Sequence, residues 1–381
     1  MGKQSQRKPE EISGRDELAS QLADSLNKKF KDFKAVYLLG SQEDAPTEIS
    51  DWVSTGSTPL DLAIANRPDG GWPVGRIVEL QGMEGAGKSL LVAHALRNTQ
   101  RKGGLAVYID TENALSEEFL EAIGLDLKTM LYLPMDTIED SFDAVETMIE
   151  QIRKGSKDRL VTIAIDSISA ATTKQEQEAD YDKDGWSTAK AIVMSKAMRK
   201  ITSIVGRHKV LLICTSQLRE KMGVMFGEKL TTSGGKALGF HASVRVRLKV
   251  IEKLVVNKGK KTEKVIGTRV EASVFKNRCG PPHKKALFDV HFDSGVDDYG
   301  SWFQTLQNHE VIEKEGLAKY KIVDKTTGEI FIFTSADWRQ KLADNQALRD
   351  YCYKCLCDIY ISEYKGSTSI DLAELEEGDD D

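Results

Sequence analysis

Apolar residues along this chain follow two spacings, and the change from one to the other marks its elements. Leu18, Leu22, Leu26 and Phe30 recur every four residues, which predicts an amphipathic helix over 16–30 with a single apolar stripe. A short apolar segment, AVYLLG (35–40), and a turn-rich stretch with Asp44, Pro46 and Asp51 follow. Residues 1–14 are polar throughout and are expected to form a disordered leader. From about 52 to 293 short apolar runs alternate with helical patterns. Strands are expected at RIVELQ (76–81), LAVYID (105–110), LVTIAID (160–166) and KVLLICTSQ (209–217), and helices at 88–101, 116–123, 139–154 and 187–205. Near-continuous apolar strands separated by helices imply an α/β fold with a mostly parallel sheet covered on both faces. SVRVRLKVIEKL (243–254) and TRVEASVFKN (268–277) flank the Lys-rich turn NKGKKTEK and read as an antiparallel hairpin.

The expected organisation is a helix/strand unit over 1–51, an α/β core over 52–300, a small α+β domain over 301–370 and an acidic tail over 371–381. The first unit is too small to bury its stripe unaided, so the stripe needs a larger body, its own chain's or a neighbour's.

Composition narrows the class. With 40% hydrophobic and 29% charged residues in 381, the chain reads as an ordinary globular protein. No apolar run reaches the roughly 18–20 residues of a membrane span, and the polar N-terminus is not a secretory signal, so a cytoplasmic protein without a membrane partner is expected. Five cysteines fit a reducing compartment. Cys352, Cys355 and Cys357 are close enough to suggest a metal site. They lie among core-type residues with no His at a zinc-finger interval, which favours small buried side chains on a helix.

The net charge of −6 is unevenly spread. The last eleven residues, DLAELEEGDDD, carry seven acids and no base, while between Arg245 and Lys285 thirteen Lys or Arg face three Glu. A basic stretch beside an acidic tail suits a self-screened nucleic-acid binder; a solvated tail plus a Lys-rich hairpin is the plainer alternative.

Three motifs carry chemistry. GMEGAGKS (82–89) matches G-x-x-x-x-G-K-[ST] between a strand and a helical run, the setting that makes this phosphate-binding loop credible. Gly82, Gly85 and Gly87 let backbone N–H groups turn toward phosphate oxygens, and the helix N-terminus adds favourable potential. Lys88 is expected to reach the β- and γ-phosphates of ATP and Ser89 to ligate Mg²⁺, with Glu84, Ala86 and Leu90 as further nucleotide contacts. Asp166 ends an apolar strand at the edge where α/β sheets bind ligands, and is the second candidate for holding the metal. In VYIDTEN, Glu112 stands two residues beyond a strand end, placed to orient and deprotonate an attacking water. The rival is that Asp110 or Glu112 caps the next helix, although Ser116 makes the better cap.

Taken together these segments resemble the bacterial RecA recombinase family. VSTGSTPLDLAI (53–64), PVGRIVELQGMEGAGKS (73–89), VYIDTENAL (107–115), SKAMRKI (195–201), SQLREKMGVMFGEKLTTSGGKALGFHASVR (216–245) and FKNRCGPP (275–282) all look like segments of that family. The likeness spans roughly 16–315, and 216–245 is its most specific part. It implies an N-terminal helix and strand, a RecA-type ATPase core and a small C-terminal domain. It also implies ATP-dependent filament formation on single-stranded DNA, followed by pairing and strand exchange with double-stranded DNA.

The resemblance assigns further residues. Gln217 looks like the γ-phosphate sensor. Arg219, Lys221, Met222, Gly223, Val224, Met225, Phe226, Thr231, Thr232, Ser233, Gly234 and Gly235 correspond to a DNA-binding loop. Cations, apolar wedges and glycine are a sensible composition for gripping a single strand without reading it. Lys276 and Arg278 look like cations that reach a neighbour's ATP across the subunit interface, Phe119 like an aromatic stacking on adenine, and Phe240 like an interface residue. The stripe of Leu18, Leu22 and Leu26 would then dock on the adjacent subunit. Single-strand-binding and loading proteins are the further partners implied.

The chain departs from the pattern at Ser216, where Asn is typical, at an insertion near Arg67–Asp69, in the acidic stretch 178–186 that stands for a first DNA loop, and after about 315. Two other functions share these ATPase motifs: a ring helicase or translocase, and a regulatory ATP-binding protein. The first would need a larger N-terminal module than about fifty residues, and the second has no need of Lys88, Ser89, Glu112 and Asp166 together.

Overall fold

The computed structural model describes residues 9–30, 34–37, 45, 47–179, 186–220, 230–232 and 236–364. The chain divides into two units, Met1–Ser50 and Asp51–Asp381.

The first unit is built on α1 (Pro9–Lys29). This helix starts earlier than the pattern suggested, so 9–14 are helical rather than leader; the proline at its opening loses no helical bond there. Leu18, Leu22, Leu26 and Phe30 are 59%, 54%, 40% and 43% exposed, so the stripe is largely uncovered. Asn27 ties down the following segment, its Oδ1 accepting from the N–H groups of Ala35 (2.8 Å) and Val36 (2.9 Å).

The second unit opens with β1 (Trp52–Val53), α2 (Thr58–Ala65) and β2 (Trp72–Pro73). It continues through β3 (Ile77–Gly82), α3 (Lys88–Arg101), β4 (Leu105–Asp110), α4 (Glu117–Ile123), β5 (Met130–Pro134), α5 (Ile138–Gly155) and β6 (Val161–Asp166). Next come α6 (Lys174–Gln177), α7 (Trp186–Arg207), β7 (Val210–Glu220), β8 (Leu230–Thr232), α8 (Ala237–His241), β9 (Val244–Val256), β10 (Lys264–Asn277), β11 (Lys284–His291) and β12 (Gly295–Asp297). The chain then forms α9 (Asp298–Asn308), β13 (Glu313–Lys314), β14 (Lys319–Val323), β15 (Ile330–Thr334), α10 (Trp338–Asp344) and α11 (Gln346–Tyr360).

The large sheet runs β12-β11-β10-β9-β3-β7-β6-β4-β5. From β9 to β5 every pairing is parallel, and from β9 to β12 every pairing is antiparallel.

Strand alternation sorts the core into two layers. Val78, Leu80, Ala106, Tyr108, Ala164, Leu211 and Ile213 pack on one face with Leu91, Val92 and Leu96 of α3. Ile77, Val107, Ile109, Ile163, Ile165, Leu212 and Cys214 pack on the other with α5 and α7. The period of two therefore aims residues 108, 110, 164, 166, 213, 215 and 217 toward α3. Small Ala106 and Ala164 let that helix approach the sheet closely.

A third cluster joins α9, α10 and α11 to the sheet β13-β14-β15 through Trp302, Phe333, Trp338, Leu342, Cys352 and Leu356, with Leu62 of α2. Cys352 is buried and Cys355 and Cys357 half-buried on α11. All three are free thiols, and among the described residues no cluster of His, Cys, Asp and Glu could hold a metal. Among those residues no helix is long and apolar enough to cross a membrane. The turn after α2 docks on this region: the Asp69 N–H donates to Tyr353 Oη (2.7 Å) and Asn66 Nδ2 to the Ser362 carbonyl (2.9 Å).

One carboxylate, Asp298 of α9, binds the cluster to the core at α2. The Ser57 side chain does not cap α2. Asp298 does so instead, accepting from Thr58 N–H (2.6 Å) and Thr58 Oγ1 (2.7 Å). Nearby Asp61 accepts from Thr55 N–H (2.7 Å) and Ser54 Oγ (2.6 Å). Burial, against these hydrogen bonds, pushes Asp61 up to about 7 and Asp298 up to about 6 from 3.8. A carboxyl whose pKa rises on folding stabilises the fold in its protonated form. That contribution is full below about 3.8 and is lost as pH climbs through about 6 to 7. The Asp61→Asn protein is therefore expected to gain less melting temperature than the parent between pH 8 and pH 5. Parallel melting-temperature profiles for the two proteins would contradict the assignment.

Candidate active site

The phosphate loop leaves β3 at Gly82 and enters α3 at Lys88. Gly85 and Gly87 have φ of +70° and +90°, and open space surrounds the position of a Cβ on either. Glycine is needed there for backbone handedness and not for room. Lys88 is buried, its Nζ donating to the carbonyls of Gly82 (3.1 Å) and Met83 (3.0 Å). Burial lowers its pKa, while Asp166, Glu112 and Glu84 raise it. Phosphate oxygens in the loop would be stronger acceptors for this ammonium than neutral carbonyls.

Beside the loop, β4 and β6 end together at Asp110 and Asp166, and β7 runs past them. Asp110 Oδ1 accepts from the N–H groups of Glu112 and Asn113, both at 2.9 Å, which closes the turn after β4. Tyr132 Oη donates to Asp110 Oδ2 (3.1 Å). Ser116 caps α4, accepting from Phe119 N–H. Glu112 caps nothing: its Oε1 accepts from Ser167 Oγ (2.6 Å) and from Gln217 Nε2 (3.1 Å), and the side chain is open to solvent. The structure thus brings Glu112, Asp166, Lys88 and Ser89 to one place.

Two adjoining cavities surround that place. One, of about 250 Å³, is lined by Ser89, Tyr108, Asp110, Glu112, Phe119 and Asp166 among others. The other, of about 270 Å³, runs from Gly85–Leu90 past Phe119 to Thr268, His291 and Phe292. The sequence reading did not single out Tyr108, Thr268, His291 or Phe292. Phe292 is 58% exposed, and an uncovered aromatic just past the KKALFDVH strand is the signal that could have found it.

Gln217 marks a junction. It is the last residue of β7 paired to β3, lying opposite Gly82 at the start of the phosphate loop. Ser169 Oγ holds its N–H (2.8 Å). Immediately beyond it, Leu218–Glu220 pair with Leu230–Thr232 of β8, so Arg219 faces Thr231 and Leu218 faces Thr232. Of the expected loop contacts, Lys221, Met222, Gly223, Val224, Met225, Phe226, Ser233, Gly234 and Gly235 lie outside the described residues, as do 180–185.

Phe240, on α8, is 70% exposed, and its carbonyl accepts from Lys276 Nζ (2.9 Å) and from Arg278 Nη2 (3.3 Å). Burial, with Arg278 and Arg245 nearby, lowers Lys276 to about 8. Neither cation is near the phosphate loop of its own chain. Lys276 faces Arg245, which faces Glu79. The Arg278 N–H donates to Ser243, whose own N–H donates to Ile77 at the start of β3. At ~3.3 Å per residue they lie roughly 10–16 Å back along the strands from Gly82.

Comparison with known proteins gives the family. The RecA N-terminal domain family matches residues 18–297. The chain belongs to the RecA family. Its curated relatives include Protein RecA of Clavibacter michiganensis subsp. michiganensis, 39% identical over 282 residues, 74% of this chain and 73% of the relative. Protein RecA of Clostridium acetobutylicum is 37% identical, covering 70% and 72% of the two chains. That of Lactobacillus acidophilus is 34% identical over 302 residues, 79% of each chain. The RecA family match ends at the start of α9, and the helices and small sheet beyond it hold the third cluster.

Proposed function

We propose that this RecA-family recombinase hydrolyses ATP at the Lys88–Glu112–Asp166 site, and that nucleotide state controls how the segment after Gln217 grips single-stranded DNA. The observation that carries this reading is the position of Gln217. One residue is at once opposite the phosphate loop, hydrogen-bonded to Glu112 and the base of the β7–β8 hairpin. A side-chain amide there can transfer from Glu112 to a terminal phosphate and move the hairpin with it.

In the proposed reaction the loop N–H groups and Lys88 hold the phosphates, and Phe119 and Phe292 flank the base. Glu112 takes a proton from a water whose oxygen bonds to the γ-phosphorus as the bond to the bridging oxygen of ADP breaks. Asp166 and Ser89 suit Mg²⁺, which binds through one or two protein oxygens plus phosphates and waters and so needs no cluster of three acidic ligands. Bound there, Mg²⁺ would neutralise charge on the β- and γ-phosphates.

Lys276 and Arg278 would complete the site of a neighbouring copy, since their own phosphate loop is out of reach. The uncovered stripe of α1 and exposed Phe240 are the surfaces that would join successive copies into a filament. A D-loop assay tests the function. Joint molecules are expected with ATP or a non-hydrolysable analogue and not with ADP. Equal yields with ADP would break the link between the terminal phosphate and DNA.

A further inference from the structure

The Asp166 carboxylate does not stand alone at the end of β6. On one side Tyr108 of β4 donates its phenol proton to Asp166 Oδ2 at 2.7 Å, and on the other Thr215 of β7 donates to Asp166 Oδ1. All three groups are buried, Tyr108 at 5% exposure and Thr215 at 0%. Ser89, at the start of α3, lines the same cavity as Tyr108 and Asp166.

The polarity of this chain of bonds follows from what each group can do. An ionised carboxylate accepts and cannot donate, so the phenol proton belongs to Asp166. Each Asp166 oxygen, having taken one hydrogen bond, keeps a further lone-pair site for the metal or its waters.

We infer that Tyr108 is a positioning residue which, with Thr215, sets the Asp166 carboxylate as an oxygen ligand for the Mg²⁺ of the nucleotide, in the cavity it shares with Ser89. The inference rests on the nucleotide reading of this site and adds to it a residue outside the phosphate-loop and strand-end motifs. Thr215 lies two residues before Gln217, so the strand that carries the phosphate sensor also steadies the metal carboxylate.

The test is binding of a fluorescent ATP analogue to the full chain as Mg²⁺ is titrated, compared with binding in EDTA, with no DNA present. Tyr108→Phe removes one hydroxyl and keeps the ring in the core. It is expected to raise the Mg²⁺ midpoint about ten-fold, the lower end of the usual effect of removing such a supporting partner, and to leave binding in EDTA unchanged. Thr215→Val is expected to shift the midpoint the same way and Thr215→Ser to leave it near the parent value. This pair reads the support of Asp166 by itself should Tyr108→Phe not fold. A parent-like midpoint in folded Tyr108→Phe, or in Thr215→Val where the first does not fold, overturns the inference. So does equal weakening with and without Mg²⁺, which would mark a merely structural role. A parent chain that binds no analogue at any Mg²⁺ concentration would instead remove the nucleotide reading itself.

Discussion

Glu112→Gln protein is expected to bind ATP as the parent does and to hydrolyse it some 10²–10⁴-fold more slowly, the usual contribution of a general base. The substitution is close to isosteric. The Gln oxygen can still accept from Ser167 Oγ and Gln217 Nε2, so the strand ends stay in place while the proton acceptor is lost. Filaments on single-stranded DNA should then persist under ATP, because the terminal phosphate remains for Gln217 to read. Single-turnover hydrolysis and filament lifetime by electron microscopy are the measurements. Rapid disassembly under ATP, or hydrolysis within a few fold of the parent, would remove Glu112 from the role of water activator.

The second large effect concerns pairs of chains. Arg278→Ala should lower DNA-dependent hydrolysis about 10³-fold, as expected for a cation that neutralises charge in phosphoryl transfer. Lys88→Ala should abolish hydrolysis by emptying the loop of its ammonium. Each loses a different half of a shared site if Arg278 serves a neighbour. Mixed in equal amounts, the two inactive proteins should recover roughly a quarter of parental hydrolysis. In a head-to-tail assembly about one interface in four then joins an intact loop to an intact Arg278. No recovery on mixing, with both chains shown to co-assemble, would place Arg278 outside the neighbour's site. The geometry favours recovery: the Arg278 backbone is tied through Ser243 to Ile77, at the far end of β3 from the loop.

Much of this site could be read before any coordinates because strand alternation fixes faces. Once Ile109 and Ile165 are core residues, Asp110 and Asp166 must face the other way, and Gln217 follows from Cys214 by the same count. The phosphate loop was legible for a similar reason, since its chemistry is local and its glycines are needed for backbone sign. What stayed hidden depends on register between distant strands. Tyr108 reads as one more apolar strand residue until β4 and β6 are paired with Tyr108 opposite Ala164, which brings its hydroxyl to Asp166. Phe292 reaches the cavity beside Phe119 only through the antiparallel return of β11 against β10. Asp298 caps a helix 240 positions earlier in the chain, a partnership no local pattern encodes. The start of α1 at Pro9 was missed because the residues before Asp16 carry little apolar periodicity, the signal that sequence patterns use to find a helix.

The turn near Arg67–Asp69 fastens α2 to the cluster that follows the core. Asp69 and Asn66 hydrogen-bond to Tyr353 and Ser362, tying the end of α2 to α11 and to the residues just past it. Asp298 lies at the other end of α2 and joins it to α9, so α2 is fastened at both ends to the small cluster that follows the core.

The most direct test of the account is the rate of ATP hydrolysis by the parent chain with and without single-stranded DNA, followed at fixed Mg²⁺ and low salt. If Gln217 couples the terminal phosphate to the hairpin that grips DNA, hydrolysis should rise many-fold when single-stranded DNA is added, and Gln217→Ala should lose that rise while still binding ATP. Equal rates with and without DNA in the parent protein would contradict the account.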